Sequence, residues 1–133
     1  IEIRAIDIVE KHLAYKYPHL GFENLSGTRK IGYDIVLFDD YIPKRFIEVK
    51  GFGSTGTVRL STFEWEMAKR LKNLYWLYIV TDLTNNLRQP CIRCIPNPAI
   101  TLRGGEWTGW SANTIMFNVL NWSAAVKETE VPL

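Results

Sequence analysis

The sequence predicts an α/β domain in which a mixed β-sheet is flanked by helices, in the order helix, three strands, helix, strand. Three observations carry this expectation. Residues 2–17 place Ile3, Ile6, Val9, Leu13 and Tyr17 at the spacing of one helical face. Residues 32–60 alternate β-branched and aromatic runs with turn residues, the signature of short strands. Residues 75–81 are a nearly continuous apolar run, which suits a strand buried on both faces in the middle of a sheet.

Taken in order, the first helix is ended by Pro18. Glu10 falls within its apolar arc rather than among Arg4, Asp7 and Lys11, and a carboxylate placed there calls for a reason. Residues 21–30 read as a polar loop whose adjacent charges Arg29 and Lys30 are candidate contacts for a phosphate backbone. Residues 32–38 read as a strand, 39–43 as a turn and 44–51 as the returning strand. A glycine-rich loop then leads to a third short strand at 57–60. Ser61 followed by Glu64 is a capping box, which starts a second helix at 62–73 with Met67, Leu71 and Leu74 as its inner stripe.

After the run at 75–81, residues 82–89 form a polar loop and 91–95 another strand. Beyond Pro98 the pattern weakens. Residues 100–102 are expected as a strand, Gly104-Gly105 as a turn, and 114–120 as an edge strand or a helical turn; Trp107, Trp110 and Trp122 crowd this tail.

With 133 residues the chain is expected to be one domain, able to bury roughly two-thirds of its unfolded surface without disulfides. Its formal charge of +2 is too small to announce a nucleic-acid binder by itself. Cys91 and Cys94 have the spacing of half a zinc site, but His12 and His19, the only other soft ligands, lie far upstream. Strand residues three apart face opposite sides, so two ordinary cysteines in a reduced, intracellular and cytoplasmic protein are expected. No apolar run approaches membrane-spanning length and there is no basic-then-apolar leader. A start at Ile1 rather than Met is expected of a domain excised from a longer, multidomain protein.

The chemistry centres on Phe46-Ile47-Glu48-Val49-Lys50-Gly51. Residues two apart on a strand share a face, so Glu48 and Lys50 project together while Ile47 and Val49 turn to the other side. A hairpin brings Asp34, in Gly32-Tyr33-Asp34-Ile35, alongside. Two carboxylates and a backbone carbonyl, that of Val49, are donors for a hard divalent cation such as Mg²⁺, with Mn²⁺ as the substitute and Glu10 as a further carboxylate. Such a cation polarises a phosphoryl oxygen and lowers the pKa of a bound water. Lys50 would orient that water, act as a base, or neutralise charge in the transition state. An exposed edge strand would give the same Glu-x-Lys alternation; Asp34 nearby, the apolar flanks and Glu10 argue for a site. Glu64 reads chiefly as the cap, Trp65 and Trp76 as core, and Arg59, with Arg29 and Lys30, as nucleic-acid contacts.

At these residues the chain resembles the PD-(D/E)xK nuclease superfamily, with Asp34, Glu48 and Lys50 in the positions of its motif and Glu10 in that of a helical glutamate. More narrowly, those stretches, with Leu60-Ser61-Thr62-Phe63-Glu64-Trp65-Glu66-Met67-Ala68 and Tyr75-Trp76-Leu77-Tyr78-Ile79-Val80, resemble the Protein NO VEIN C-terminal domain family. The resemblance implies a restriction-endonuclease-like core and a Mg²⁺-dependent endonuclease acting on DNA. It also implies a parent chain with helicase, ATPase or DNA-recognition domains, as in restriction and defence proteins. The alternatives are a DNA-binding module of the same fold that does not cut, and an interaction domain docking on a parent ATPase. Tyr33 departs from the proline of the superfamily motif.

Overall fold

Helix α1 (Glu2–Lys16) forms where the apolar spacing predicts and buries Ala5, Ile6, Val9, His12 and Leu13, but Ile3, expected on the same face, is exposed in its first turn. The computed structural model describes residues 1–28, 31–84, 87–111 and 114–132, and along 107–111 and 114–118 the backbone alone. Arg29 and Lys30 therefore lie outside the described residues, as do the side chains of Trp107 and Trp110.

Strands β1 (Gly21–Asn24), β2 (Ile35–Asp39) and β3 (Ile42–Gly51) form an antiparallel meander. The β2–β3 turn is tight, with Asp39 opposite Ile42 and Asp40 at φ 54°. Aspartate tolerates this left-handed conformation better than most residues. The chain then passes through β4 (Val58–Ser61) and α2 (Thr62–Leu71) to β5 (Tyr75–Thr81), which pairs parallel to β3. β6 (Cys91–Pro96), α3 (Pro98–Thr101), β7 (Glu106–Ser111), β8 (Thr114–Val119) and β9 (Glu128–Glu130) complete the order. The main sheet runs β1-β2-β3-β5-β6-β9, and a second sheet runs β4-β8-β7.

Further expectations are corrected. The first of the three meander strands is β1, which had been expected as loop: its exposed edge position leaves it no apolar alternation to read. The strand at 57–60 instead pairs with β8 in the second sheet, where β8 is the middle strand rather than an edge. Residues 100–102 do not form a strand, because Pro98 starts a helical turn through Thr101 after Asn97 turns left-handed. Leu74 is 43 % exposed, since α2 gives way at Leu71 to a 3-10 turn and the inner stripe ends there.

Each face of the main sheet carries its own core. Ala5, Val9 and Leu13 of α1 pack with Ile35, Ile47, Val49, Trp76, Tyr78 and Val80. On the other face Ala68 of α2, Val58 and Leu60 of β4, Val119 and Trp122 pack with Tyr75, Leu77 and Ile79. The strict alternation along β5 between these two sets explains its continuous apolar run. Cys94 belongs to the first core, and both cysteines are free. Burial pushes the Cys94 thiol up to about 12.

Arg45 ties β9 to the α1 side. Its guanidinium lies 3.7 Å from the Trp76 ring centroid, donates to Tyr78 Oη at 2.6 Å, and meets both oxygens of Glu128 at 3.2 Å. A paired fork of this kind is among the stronger charge-assisted contacts. Among the described residues no helix is long and apolar enough to cross a membrane.

Candidate active site

The site lies where β2 begins beside β3. Gly32 holds φ 85° in the approach to β2, under the first turns of α2, and a Cβ there would meet the Phe63 carbonyl oxygen at 2.8 Å. The buried Tyr75 hydroxyl donates to the Gly32 carbonyl at 2.7 Å and fixes this loop from the sheet. Two residues on, the backbone N–H of Asp34 donates to Ile47 O at 2.8 Å, which keeps it level with Ile47 and Glu48 of β3.

The Asp34 side chain then bonds across the strand, its Oδ2 accepting from Val49 N at 2.9 Å. A strand residue points its N–H and C=O toward the same edge, so the Val49 carbonyl also turns toward β2, past the point where β2 begins. One carboxylate thus lies beside Glu48 and the carbonyl named from the sequence. Asp34 and Glu48 are both buried, at 8 % and 4 % exposure.

Lys50 reaches back between two carboxylates. Its Nζ is 3.2 Å from Glu48 Oε2 and 2.8 Å from Glu64 Oε1. The same Glu64 oxygen accepts Ser61 N at 2.9 Å, while Ser61 Oγ accepts Glu64 N at 3.2 Å, completing the capping box. Glu64 therefore both caps α2 and anchors the lysine.

Negative charge predominates here. Burial pushes the Glu48 carboxyl well above its usual range, with Glu64 and Asp34 adding to the effect against Lys50. Burial also raises Asp34, against the Val49 hydrogen bond and Lys50. Burial alone would lower Lys50, but Glu48 and Glu64 outweigh it and hold the ammonium above its usual range. Both neighbouring carboxylates thus favour the ammonium form of Lys50.

Asp34, Glu48 and Glu64 line one cleft of about 240 Å³ together with Glu2, Ser26 and Thr28. Glu10 is not among its lining residues: Oε1 of Glu10 accepts from Asn24 Nδ2 at 3.1 Å in an exposed pair. The α1 carboxylate at the cleft is Glu2. Helical periodicity reports a residue's face but not its height, and eight residues correspond to ~12 Å along the axis. Arg59 is exposed and lines a neighbouring cavity of about 620 Å³ with Val49, Lys50 and Glu2.

Asp34 and Glu48 offer carboxylate oxygens at the cleft and the Val49 carbonyl faces the same edge of β3, donors of the kind Mg²⁺ takes through one or two carboxylates with water elsewhere. Among the described residues no three His, Cys, Asp or Glu side chains gather as a metal-binding group. The role of Glu64 had a signal in the sequence, since its cap position lies immediately after β4; that of Glu2 had none.

The fold is a mixed α/β domain whose six-stranded mixed sheet, flanked by helices, is consistent with a restriction-endonuclease-like core. A family model described as "Protein NO VEIN, C-terminal" matches residues 1–92, and the chain belongs to that family. No curated protein and no solved structure matches the chain.

Proposed function

We propose that the domain is a Mg²⁺-dependent endonuclease of the PD-(D/E)xK type that hydrolyses phosphodiester bonds of DNA, serving as one module of a longer restriction, defence or helicase-associated protein. The observation that carries this reading is the placement of Lys50 between Glu48 and Glu64, two carboxylates that line one cleft with Asp34. Three carboxylates around one ammonium leave an excess of negative charge that a divalent cation neutralises. Asp34, Glu48 and the Val49 carbonyl would hold Mg²⁺ or Mn²⁺. When bound, the cation polarises a phosphoryl oxygen and acidifies water.

The chain's own residues then have distinct tasks. Glu48 and Asp34 supply charge from rigid strand positions, which limits reorganisation at the moment of reaction. Lys50, held as an ammonium, directs its N–H donors at the attacking water or at charge growing on the phosphoryl oxygens. Glu64 positions Lys50, and Tyr75 with Gly32 positions Asp34. Arg59 borders the cleft as a phosphate contact.

One observation favours a second reading, a module of the same fold that binds DNA without cutting it: the cleft gathers no set of three metal-ligating side chains among the described residues. A cleavage assay separates the two. Plasmid and oligonucleotide DNA are incubated with Mg²⁺ or Mn²⁺, with EDTA as control, and with Glu48→Ala and Lys50→Ala domains. Metal-dependent cleavage lost in both variants is expected. Cleavage equal in all three proteins would overturn the assignment, and salt-sensitive binding without cleavage would favour the docking module.

A further inference from the structure

Four lysine and arginine side chains among the described residues are withdrawn from full exposure: Lys16, Arg45, Lys50 and Arg93. Three of them meet carboxylates, Lys16 at Glu128 and Glu130, Arg45 at Glu128, and Lys50 at Glu48 and Glu64. Arg93 is the exception. It donates from one terminal nitrogen to the Thr81 hydroxyl at 2.5 Å, that hydroxyl lies 3.5 Å from Asp82 Oδ2, and no described carboxylate pairs with Arg93 directly. A guanidinium carries five N–H donors in a planar fork, so one bond to Thr81 leaves donors of Arg93 for a ligand.

The fork borders a cavity of about 510 Å³ that it shares with the exposed Arg88 and with Ser54, Thr55, Thr57 and Ser123. The walls are tied together. Asp82 N donates to Ser54 O at 3.0 Å, Thr84 N to Gly53 O at 3.0 Å, and the Trp122 indole N–H to Gly56 O at 2.8 Å. Asp82 is the one carboxylate in the lining, so the two arginines leave the cavity with a positive balance. Two guanidinium groups and several hydroxyls are donors suited to a phosphate, which an arginine fork can grip with two parallel bonds.

The cavity is also aligned with the cleft. Lys50 pairs with Ile79 across β3 and β5, and Ile79 pairs with Arg93 across β5 and β6. Lys50 and Arg93 therefore stand in one cross-strand row on one face, about 10 Å apart at two strand spacings. Gly56 and Thr57 line both this cavity and the one that holds Val49, Lys50 and Arg59.

We infer that Arg93, with Arg88 and the surrounding hydroxyls, is a phosphate-binding site, and that its phosphate belongs to the nucleic-acid strand lying in the Lys50 cleft. The second half rests on the reading of that cleft as a phosphodiester site; the first half does not. With one phosphate per ~3.4 Å of duplex axis on each strand, a row of this length corresponds to about three nucleotides. The same chemistry would also take free phosphate, and the test has an arm for each.

The test uses the whole domain in EDTA, so that nothing depends on turnover. Inorganic phosphate and, separately, a short DNA oligonucleotide are titrated while the Trp122 indole and Arg93 Nε resonances are followed by NMR. Both ligands are expected to move both signals. Arg93→Gln, which retains a donor for Thr81, is expected to abolish the phosphate response and weaken oligonucleotide binding about tenfold, with the salt slope reduced by about one. Arg88→Gln, an exposed change that spares the fold, is expected to weaken both ligands in the same direction.

Shifts with phosphate but not with the oligonucleotide would overturn the assignment to a nucleic-acid strand. No shift with either, or affinities unchanged in both variants, would overturn the site itself. DNA binding through Arg93 without any metal-dependent cleavage would count against the endonuclease reading and support this one. Cleavage with unchanged affinity in both arginine variants would do the reverse.

Discussion

Lys50 Nζ lies 2.8 Å from Glu64 Oε1, so the lysine of the central strand is anchored by the residue that caps the second helix. The cap and the ion pair share one oxygen, which also accepts the Ser61 N–H at 2.9 Å. Substitutions at Glu64 can separate these two functions. Glutamine serves the N3 position of a capping box as glutamate does. Glu64→Gln is therefore expected to lower cleavage activity, by loosening Lys50, while the melting temperature stays close to the parent's. Glu64→Ala removes the cap as well and is expected to cost about 1 kcal/mol of stability. Thermal melts paired with cleavage rates for the two variants check this; equal activity in the parent and Glu64→Gln would show that the anchoring contact is dispensable.

Glu48 carries a pH signature. Its carboxyl is held well above its usual value of 4.5 in the folded protein, so the native state binds more protons than the unfolded chain as pH rises past that value. Stability is then lost with rising pH from 4.5 up to the raised folded pKa, and the loss persists at neutral pH. Glu48→Gln removes this penalty while leaving Lys50 its nearer partner, Glu64. In metal-free buffer at neutral pH the variant is expected to be more stable than the parent, with the gain absent near pH 4. A variant less stable than the parent at every pH would contradict the excess of negative charge.

Gly32 positions Asp34. At φ 85° an added side chain is strained, and its Cβ would press on the Phe63 carbonyl oxygen at 2.8 Å and on Met67 Cβ at 3.0 Å. Gly32→Ala is expected to destabilise the domain by about 2–3 kcal/mol, from left-handed backbone strain and the displaced turn of α2. Denaturant unfolding checks it; a change within a few tenths of a kcal/mol would mean that the loop moves freely.

Much of this arrangement was legible in the sequence, for identifiable reasons. The Ser61/Glu64 box located α2, and the run at 75–81 located β5, because each signal is local. Period-two alternation put Glu48 and Lys50 on one face. What escaped was what alternation does not encode. Val58 and Leu60 announced a strand but not which sheet it would join. Gly21, Glu23 and Asn24 carry no apolar pattern because β1 is an exposed edge. Glu10 had the right helical face but the wrong height.

The central claim is that Asp34 and Glu48, without Glu10, hold a divalent cation beside Lys50. Calorimetric titration of the domain with Mn²⁺ tests it most directly. Specific binding is expected in the parent, lost in Asp34→Asn and in Glu48→Gln and kept in Glu10→Gln. Binding of equal strength in all four proteins, or loss in Glu10→Gln alone, would contradict it.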